Sequence, residues 1–129
     1  DIHTGVDLFC DIGQEIHAME DGIVVNVLSF TGDHAGSPWW NDTDAVMIKG
    51  KSGVILYGEI KTNLKNNDIV KENDIVGTAV RVLKKDKGLP VTMLHLELYD
   101  NDITEPVWWF KHSRQPYGLK NPIILFQNL

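Results

Sequence analysis

The sequence predicts an all-β protein of antiparallel strands, and three observations lead to that fold class. Short apolar runs alternate with polar stretches containing Gly, Asn, Asp and Pro along the chain, a texture typical of strands joined by turns. The segment TMLHLELYD alternates in hydrophobicity with the two-residue period of a strand. No segment keeps the apolar period of about 3.6 residues that marks an amphipathic helix.

The apolar runs predict eight strands. In chain order they are GVDLFC (5–10), EIHAM (15–19), GIVVNVLSF (22–30), AVMIKG (45–50), GVILYGEI (53–60), DIVG (74–77), TAVRVL (78–83) and TMLHLELYD (92–100). The last strand has two distinct faces. One face carries Leu94, Leu96 and Leu98, and the other carries Met93, His95, Glu97 and Tyr99.

Two stretches share one arrangement of polar turn, β-branched pair, second turn and further strand. They are GQEIHAMEDGIVVNV (13–27) and NNDIVKENDIVGTAV (66–80). This arrangement resembles the paired hairpins of barrel-sandwich folds. We therefore expect a barrel-sandwich hybrid of antiparallel strands.

Between these stretches lies a long polar segment, TGDHAGSPWWNDTD (31–44), that contains Trp39 and Trp40. A long loop with exposed aromatic residues is often a binding loop, so both tryptophans are candidate substrate-binding residues. The alternative is a loop whose tryptophans fold back onto the barrel, and the sequence leaves both open. For a second pair, Trp108 and Trp109, we expect packing of the C-terminal tail, and for LKKDKG (83–88) a solvated hairpin end.

Length and composition restrict the class of protein. The 129 residues suit one domain, residues 1–129, with its own core. A net charge of −6 and the absence of a basic stripe argue against a nucleic-acid partner. No apolar run reaches the roughly 18–20 residues of a transmembrane segment. Cys10 is the only cysteine, which excludes an internal disulfide and a zinc site built from cysteines.

Two histidines and an aspartate are candidate metal ligands. His3 and Asp7 would lie roughly 13 Å apart on a straight strand, at about 3.3 Å per residue, too far to share an ion. Gly5 between them permits the chain to bend and bring them together. His95 would add a third ligand from a distant strand. Histidine nitrogen and carboxylate oxygen are ligands that zinc prefers, and a catalytic zinc keeps one position open.

Several blocks of the chain resemble the lysostaphin-type (LytM-like) zinc metallopeptidases. IHTGVDLFCDIGQEIHAMEDGIVV is similar to the family's opening, in which His-x-Gly-x-Asp precedes a Gly turn, a Val-x-Ala strand and a Gly-x-Val hairpin. DAVMIKGKSGVILYGEI is similar to its strand–turn–strand ending in Tyr-x-His-Leu, and NDIVKENDIVGTA to its Val-x-x-Gly-Asp-x-Ile-Gly hairpin, with Asn73 where Gly is usual. MLHLELYD is similar to its His-x-His-Phe-Glu strand, and GLKNPIILF to its closing Asn-Pro segment. The blocks follow the family's order along nearly the whole chain.

The resemblance implies that His3, Asp7 and His95 are the zinc ligands, but it also reveals two departures. Glu59 stands where the family has the His of Tyr-x-His, and Met93 where it has the first His of His-x-His. In the family those histidines orient and activate the attacking water. Methionine exchanges no proton, so the ligand set is intact and the proton-transfer set is missing. Glu59 would act as a base, as a fourth zinc ligand, or as a group that holds the water.

Retained ligands without the water-activating histidines also resemble the leukocyte cell-derived chemotaxins, secreted relatives of the peptidase fold that signal by binding partners. Their opening, His-x-Gly-Val-Asp-Val-Leu-Cys, is close to HTGVDLFC here, including Cys10. This chain lacks their further cysteines and their intact His-x-His. The likeness is therefore a precedent for a binding role.

Three functional hypotheses follow. The first is a zinc-binding, degenerate member of the metallopeptidase family that binds a peptide, a peptidoglycan-like ligand or a protein partner with little or no hydrolysis. The second is an active metalloendopeptidase that cleaves glycine-rich or cell-wall cross-link peptides with Glu59 as base. The third is a zinc-free carrier module of the biotinyl/lipoyl type, which ranks last because its hairpin tip needs a lysine and EDG (20–22) has none.

The resemblance to this family also implies where the protein acts. Its members act on cell walls or as secreted factors, so the resemblance implies an extracytoplasmic location. Asp1 begins abruptly at the expected metal site, as in the C-terminal part of a longer protein.

Overall fold

The computed structural model describes residues 3–84, 92–107 and 113–127. These residues form nine strands and two short 3-10 helices, Asp33–Ala35 and Pro122–Phe126. The strands are β1 (Val6–Phe9), β2 (Glu15–His17), β3 (Gly22–Thr31), β4 (Thr43–Gly50), β5 (Gly53–Lys61), β6 (Ile69–Val70), β7 (Ile75–Ala79), β8 (Met93–Tyr99) and β9 (Leu119–Lys120). No α-helix occurs in this part of the chain, and no helix in it is long and apolar enough to cross a membrane.

All strand pairs are antiparallel. The main path through the sheet is β1-β8-β5-β4-β3-β6, while β7 pairs with both β2 and β5, and β9 pairs with β8. Strands β4 and β5 are joined by a two-residue turn at Lys51 and Ser52, so the sequence DAVMIKGKSGVILYGEI folds as one hairpin. The predicted all-β antiparallel architecture is confirmed.

The central strands are buried on both faces, which explains their nearly continuous apolar sequence. In β4, Val46 and Ile48 belong to one buried cluster, whereas Ala45 and Met47 belong to another. The same alternation continues across β5, where Tyr57 lies in the first cluster and its neighbour Leu56 in the second. The two clusters hold the sheet from both sides and make its middle strands a rigid support.

Strand β8 has the two faces that its sequence predicts. Leu96 and Leu98 lie in the first buried cluster and Leu94 packs against it. On the opposite face Tyr99 belongs to the second cluster, and His95 and Glu97 are both buried near it. Buried polar groups need partners, so this face is where a polar network is expected.

The prediction of separate strands DIVG and TAVRVL was wrong. Residues 75–79 form the single strand β7, and the described residues 80–84 that follow it make only two isolated bridges, Arg81 with Thr92 and Leu83 with Trp40. Gly77 does not interrupt the strand. A Cβ there would lie 2.4 Å from the Lys61 carbonyl oxygen, so the glycine permits close approach of β5.

The loop between β3 and β4 leaves its tryptophans accessible. Trp39 is 63% exposed and Trp40 is 37% exposed, and their ring centroids lie 6.2 Å apart in an edge-to-face arrangement. The loop is closed by a hydrogen bond from Thr31 Oγ1 to the Asn41 carbonyl oxygen, 2.8 Å long. Trp108, Trp109 and most of the segment 83–88 lie outside the described residues.

Candidate metal centre

Pairing of β1 with β8 brings the first two candidate ligands together. The register sets Asp7 opposite His95, and the His95 Nδ1 atom lies 2.7 Å from Asp7 Oδ1. These residues are 88 positions apart in the chain, so the sheet alone makes them neighbours. Their proximity depends on an ordinary antiparallel register, which one buried face of β8 specifies strongly.

His3 reaches the same place because the chain bends before β1. Its Nε2 atom lies 3.4 Å from Asp7 Oδ2, and the His3 and His95 ring centroids are 5.0 Å apart. At the bend, a Cβ on Gly5 would lie 2.0 Å from the Leu96 carbonyl oxygen. Only glycine fits this close approach, as the expected bend at Gly5 requires.

One ligand atom from each of His3, Asp7 and His95 lies within 4.8 Å of the others, close enough for the three residues to bind one metal ion. The three side chains differ in accessibility, which is 55% for His3, 32% for Asp7 and 7% for His95. The centre is therefore anchored in the sheet at His95 and open to solvent at His3.

A buried network fixes the other side of the His95 ring. His95 Nε2 lies 2.7 Å from Glu97 Oε2, and Thr4 Oγ1 donates to the same oxygen at 2.8 Å. The Tyr99 hydroxyl donates to Glu97 Oε1 and accepts from the backbone N–H of Val107 at 3.2 Å. With Nε2 directed at Glu97, Nδ1 is the ring nitrogen that faces Asp7 and the candidate centre.

The two carboxylates determine the charge of His95. Burial alone would lower the pKa of His95, but hydrogen bonds to Asp7 and Glu97, with their charges, outweigh it and raise the pKa to about 9. Burial would likewise raise the pKa of Asp7 and of Glu97. Burial is the largest single effect, but the hydrogen bond and charge of His95 outweigh it together with His3 at Asp7 and with Tyr99 and Thr4 at Glu97, so each pKa is lowered.

Glu59 enters the site through a β-bulge. In the β4–β5 pair, Gly58 is opposite Ala45 and Ile60 is opposite Asp44, which leaves Glu59 as the extra residue. Its φ of 64° lies in the left-handed region, which is uncommon for a residue with a side chain. Its Oε2 atom is buried without a hydrogen-bond partner. Burial raises the pKa of Glu59 to about 7, with the charge of Asp7 adding to the increase and that of His95 opposing it.

These residues open onto a groove of about 640 Å³. His3, Asp7 and His95 line it together with Glu59, Met93 and Trp40, whereas Trp39 is not among its lining residues. Much of the remaining lining is apolar and consists of Leu28, Phe30, Ala35, Val82, Leu83, Pro106 and Val107. The structure thus brings the candidate ligands, Glu59 and Met93 to one groove and leaves Trp39 beside it.

The sequence did not indicate three residues of this site. Thr4 and Tyr99 bond to Glu97, and the Phe30 ring centroid lies 5.4 Å from that of His95. For Tyr99 a signal existed, because the period of two places it on the face of His95 and Glu97. For Phe30, on β3, only the three-dimensional structure reveals the contact.

Residues 1–106 match the sequence pattern of peptidase family M23. The chain belongs to this family. M23 peptidases are metallopeptidases, typically with zinc, and the substrates associated with the family are peptidoglycan and peptides. Their homologues are typically extracellular. The donor set of His3, Asp7 and His95 is of the kind that zinc prefers, two imidazoles and one carboxylate. No curated protein sequence matches the chain.

Solved structures share the fold of this chain. The catalytic domain of the antimicrobial peptidase lysostaphin from Staphylococcus simulans is 21% identical, with a TM-score of 0.65, over 98% of this chain and 80% of that chain. Csd3 from Helicobacter pylori is 27% identical, with a TM-score of 0.52, over 79% of this chain and 24% of that chain. A solution structure of lysostaphin is 22% identical, with a TM-score of 0.59, over 96% of this chain and 43% of that chain. The chain therefore spans most of one catalytic domain and less than half of the larger relatives. The predicted lysostaphin-type fold is confirmed.

Proposed function

We propose that this M23-family domain binds zinc and holds a peptide or peptidoglycan-like partner in its groove with little or no hydrolysis. One observation carries the proposal. The three candidate ligands converge within 4.8 Å, whereas the residue beside them on the same face of β8 is Met93, which lines the groove and exchanges no proton. The site therefore combines residues that would bind a metal ion with a residue, Met93, that cannot transfer a proton.

The donor set fits zinc. His3, Asp7 and the Nδ1 atom of His95 would hold the ion, and three protein ligands leave a further position for a ligand. When bound, zinc supplies a Lewis acid that polarises a carbonyl oxygen. Glu97 supports this role, because it engages His95 Nε2 and so keeps Nδ1 directed toward Asp7.

Hydrolysis of a peptide bond needs a group that takes a proton from water and gives one to the leaving amine. Among the described residues that line the groove, the only histidines are His3 and His95, and both belong to the proposed ligand set. Loss of a positioned acid–base group costs about 10²–10⁴ in rate. We therefore expect a partner to bind and dissociate mostly uncleaved.

A second candidate function is peptide cleavage with Glu59 as base, and the bulge in β5 favours it. Strain and unpaired buried polar atoms concentrate at functional sites, and Glu59 combines a φ of 64° with a buried, unbonded Oε2. Without metal, burial raises its pKa to about 7, close to the neutral pH at which a general base is most effective. In this case Glu59 would do alone what two histidines do in other members.

One experiment separates the two functions. Zinc-loaded protein, with metal content measured by mass spectrometry, is incubated with peptidoglycan and with glycine-rich peptides, and new peptide ends are sought. We expect about one zinc per chain, loss of zinc in His3→Ala and His95→Ala, and no new ends over long incubation. Cleavage by wild type that disappears in Glu59→Gln would establish the second function instead. Protein without bound zinc at this site would refute both.

Family membership supports a proposal for the partner and the location. We propose a peptide, a peptidoglycan-like ligand or a protein as partner, and an extracytoplasmic location, because the family relates to such substrates and its homologues are typically extracellular. Trp40 lines the groove and Trp39 is exposed next to it, which supports contact of both with the partner.

A further inference from the structure

We propose that the groove selects an uncharged peptide segment and holds one bulky apolar side chain of it beside the metal ligands. The receiving surface, here called the apolar wall, consists of Leu28, Phe30, Trp40, Met93 and Val107, all of which line the groove. This inference rests on the proposed function, because it takes the groove to be the ligand site. It adds the chemical class of the ligand.

The apolar wall begins directly at the centre. Met93 lies two residues before His95 on the same face of β8, and the Phe30 ring centroid is 5.4 Å from that of His95. Gly58 makes room for Phe30, since a Cβ there would lie 2.9 Å from Phe30 Cε2. A peptide whose backbone approaches His95 therefore places a neighbouring side chain between Met93 and Phe30.

The wall is supported by the core. Leu28 and Phe30 are two residues apart in β3 and lie on the same face of the strand. Together with Val107 they are partly exposed and pack against the buried cluster that contains Met47. Their apolar surface is held in place before any ligand arrives. Covering it removes apolar area from water without a cost of ordering the wall, which favours an apolar side chain.

The charges of the groove exclude an acidic ligand. Asp7, Glu59 and Glu97 all contribute carboxylates to the lining, and no lysine or arginine occurs among its described residues. His95 already lies between two of these carboxylates, at 2.7 Å from each. The carboxylates of Asp7 and Glu97 together offset the two positive charges of a bound zinc ion, and Glu59 adds a third carboxyl group. No net positive charge is left for an acidic side chain, so charge complementarity favours a neutral segment.

The size of the groove suits a short segment. A volume of about 640 Å³ falls in the range of about 300–1,000 Å³ that is typical of sites for small ligands. We therefore expect recognition of a few residues with one dominant side chain.

The test uses zinc-loaded protein and the peptides acetyl-Gly-Gly-X-Gly-Gly-amide, in which X is Leu, Gly or Glu, with binding measured by calorimetry. We expect the Leu peptide to bind about tenfold more tightly than the Gly peptide, because its side chain is buried on the apolar wall. The Glu peptide should bind more weakly than the Gly peptide. In Met93→Gln the preference for Leu over Gly should largely disappear. In the matched control Met19→Gln, at a partly buried methionine outside the groove, the preference should persist.

The outcomes separate the inference from the function on which it rests. Equal binding of all three peptides, or tighter binding of the Glu peptide, would overturn the apolar wall while leaving a peptide-binding zinc protein. Failure of every peptide to bind, with zinc bound, would overturn the proposed peptide partner and the inference together. Persistence of the Leu preference in Met93→Gln would remove Met93 from the wall.

Discussion

Two glutamates at the centre show how partners decide the behaviour of a side chain. Glu97 has hydrogen bonds from Thr4 and Tyr99 and an ion pair with His95, and despite burial its pKa is lowered. Glu59 has a buried oxygen with no partner, and burial raises its pKa to about 7. Glu97 is thus a fixed anion that orients His95, whereas Glu59 carries a proton for part of the time at neutral pH.

The role of Glu97 predicts an effect of Tyr99 on metal affinity. Tyr99→Phe removes one donor to Glu97 and should weaken zinc binding about tenfold, the lower end of the effect of supporting residues at metal sites. Tyr57→Phe is a matched control, because Tyr57 is equally buried and also accepts a backbone N–H, that of Met19. Both changes should destabilise the fold by about 1–3 kcal/mol. Competition with a zinc chelator measures the affinities, and equal affinities in the two variants would contradict the role assigned to Tyr99.

The pKa of Glu59 predicts how stability changes with pH in protein freed of metal by a chelator. The carboxyl has its ordinary pKa of 4.5 in the unfolded chain and a pKa of about 7 in the folded protein, so the unfolded state loses its proton first as pH rises. This group therefore reduces the free energy of unfolding between pH 4.5 and 7, by about 1–3 kcal/mol, and has no further effect above that window. Glu59→Gln should abolish this part of the decline.

Urea unfolding at several pH values measures that difference. The exposed Glu105, in Glu105→Gln, serves as control and should retain the wild-type dependence on pH. Parallel curves for wild type and Glu59→Gln from pH 4 to 8 would show that burial does not perturb Glu59.

At the scale of elements, the bend before β1 depends on one glycine. Gly5→Ala would place its Cβ 2.0 Å from the Leu96 carbonyl oxygen, so β1 must move away from β8. We expect a loss of stability of about 1–3 kcal/mol or more, and weaker zinc binding because His3 and Asp7 lie on either side of the bend. Gly13→Ala, at a φ of 83° with no atom near its Cβ, should lower stability by about 1–2 kcal/mol and leave zinc affinity unchanged. Thermal melts with a zinc titration compare them, and wild-type affinity in Gly5→Ala would contradict this account.

The sequence predicts strands well where apolar alternation is long. It predicts them poorly where a strand forms only because it pairs with a neighbouring strand. The two faces of β8 follow from the two-residue period of its sequence, and the bend follows from the position of Gly5 between His3 and Asp7. Strands β6 and β9 have two residues each and exist only through their partners β3 and β8. The sequence pattern predicts that a strand ends at Gly77, whereas Gly77 lies inside β7, where only a glycine permits the close approach of β5.

The conformation of Glu59 marks the limit of what the sequence indicates about the site. The resemblance of its strand to Tyr-x-His-Leu predicts that Glu59 stands where the family has a histidine, but a bulge with φ of 64° at a glutamate has no local signature. The bulge depends on the register between β4 and β5, which the whole sheet determines. Only with that register does the side chain enter the groove.

At the scale of the whole molecule, the centre links parts of the chain that are distant in sequence. His3 precedes the first strand, Asp7 lies in β1 and His95 lies in β8, which pairs with β1, β5 and β9. In the unfolded chain His95 is far from His3 and Asp7, so a metal ion that needs all three binds the folded state almost exclusively. Stability and metal concentration should therefore be coupled.

This coupling predicts the response to metal. At free zinc a hundredfold above the dissociation constant, binding should add about 2.7 kcal/mol to the free energy of unfolding. For a chain of 129 residues that corresponds to a rise in Tm of about 10 °C. Addition of a chelator should reverse the shift. His3→Ala should lose most of it, because His3 is exposed and its removal deletes a ligand without disturbing the core. His34→Ala, at an exposed histidine outside the centre, should keep it. A full shift in His3→Ala would mean that zinc stabilises the protein at some other site.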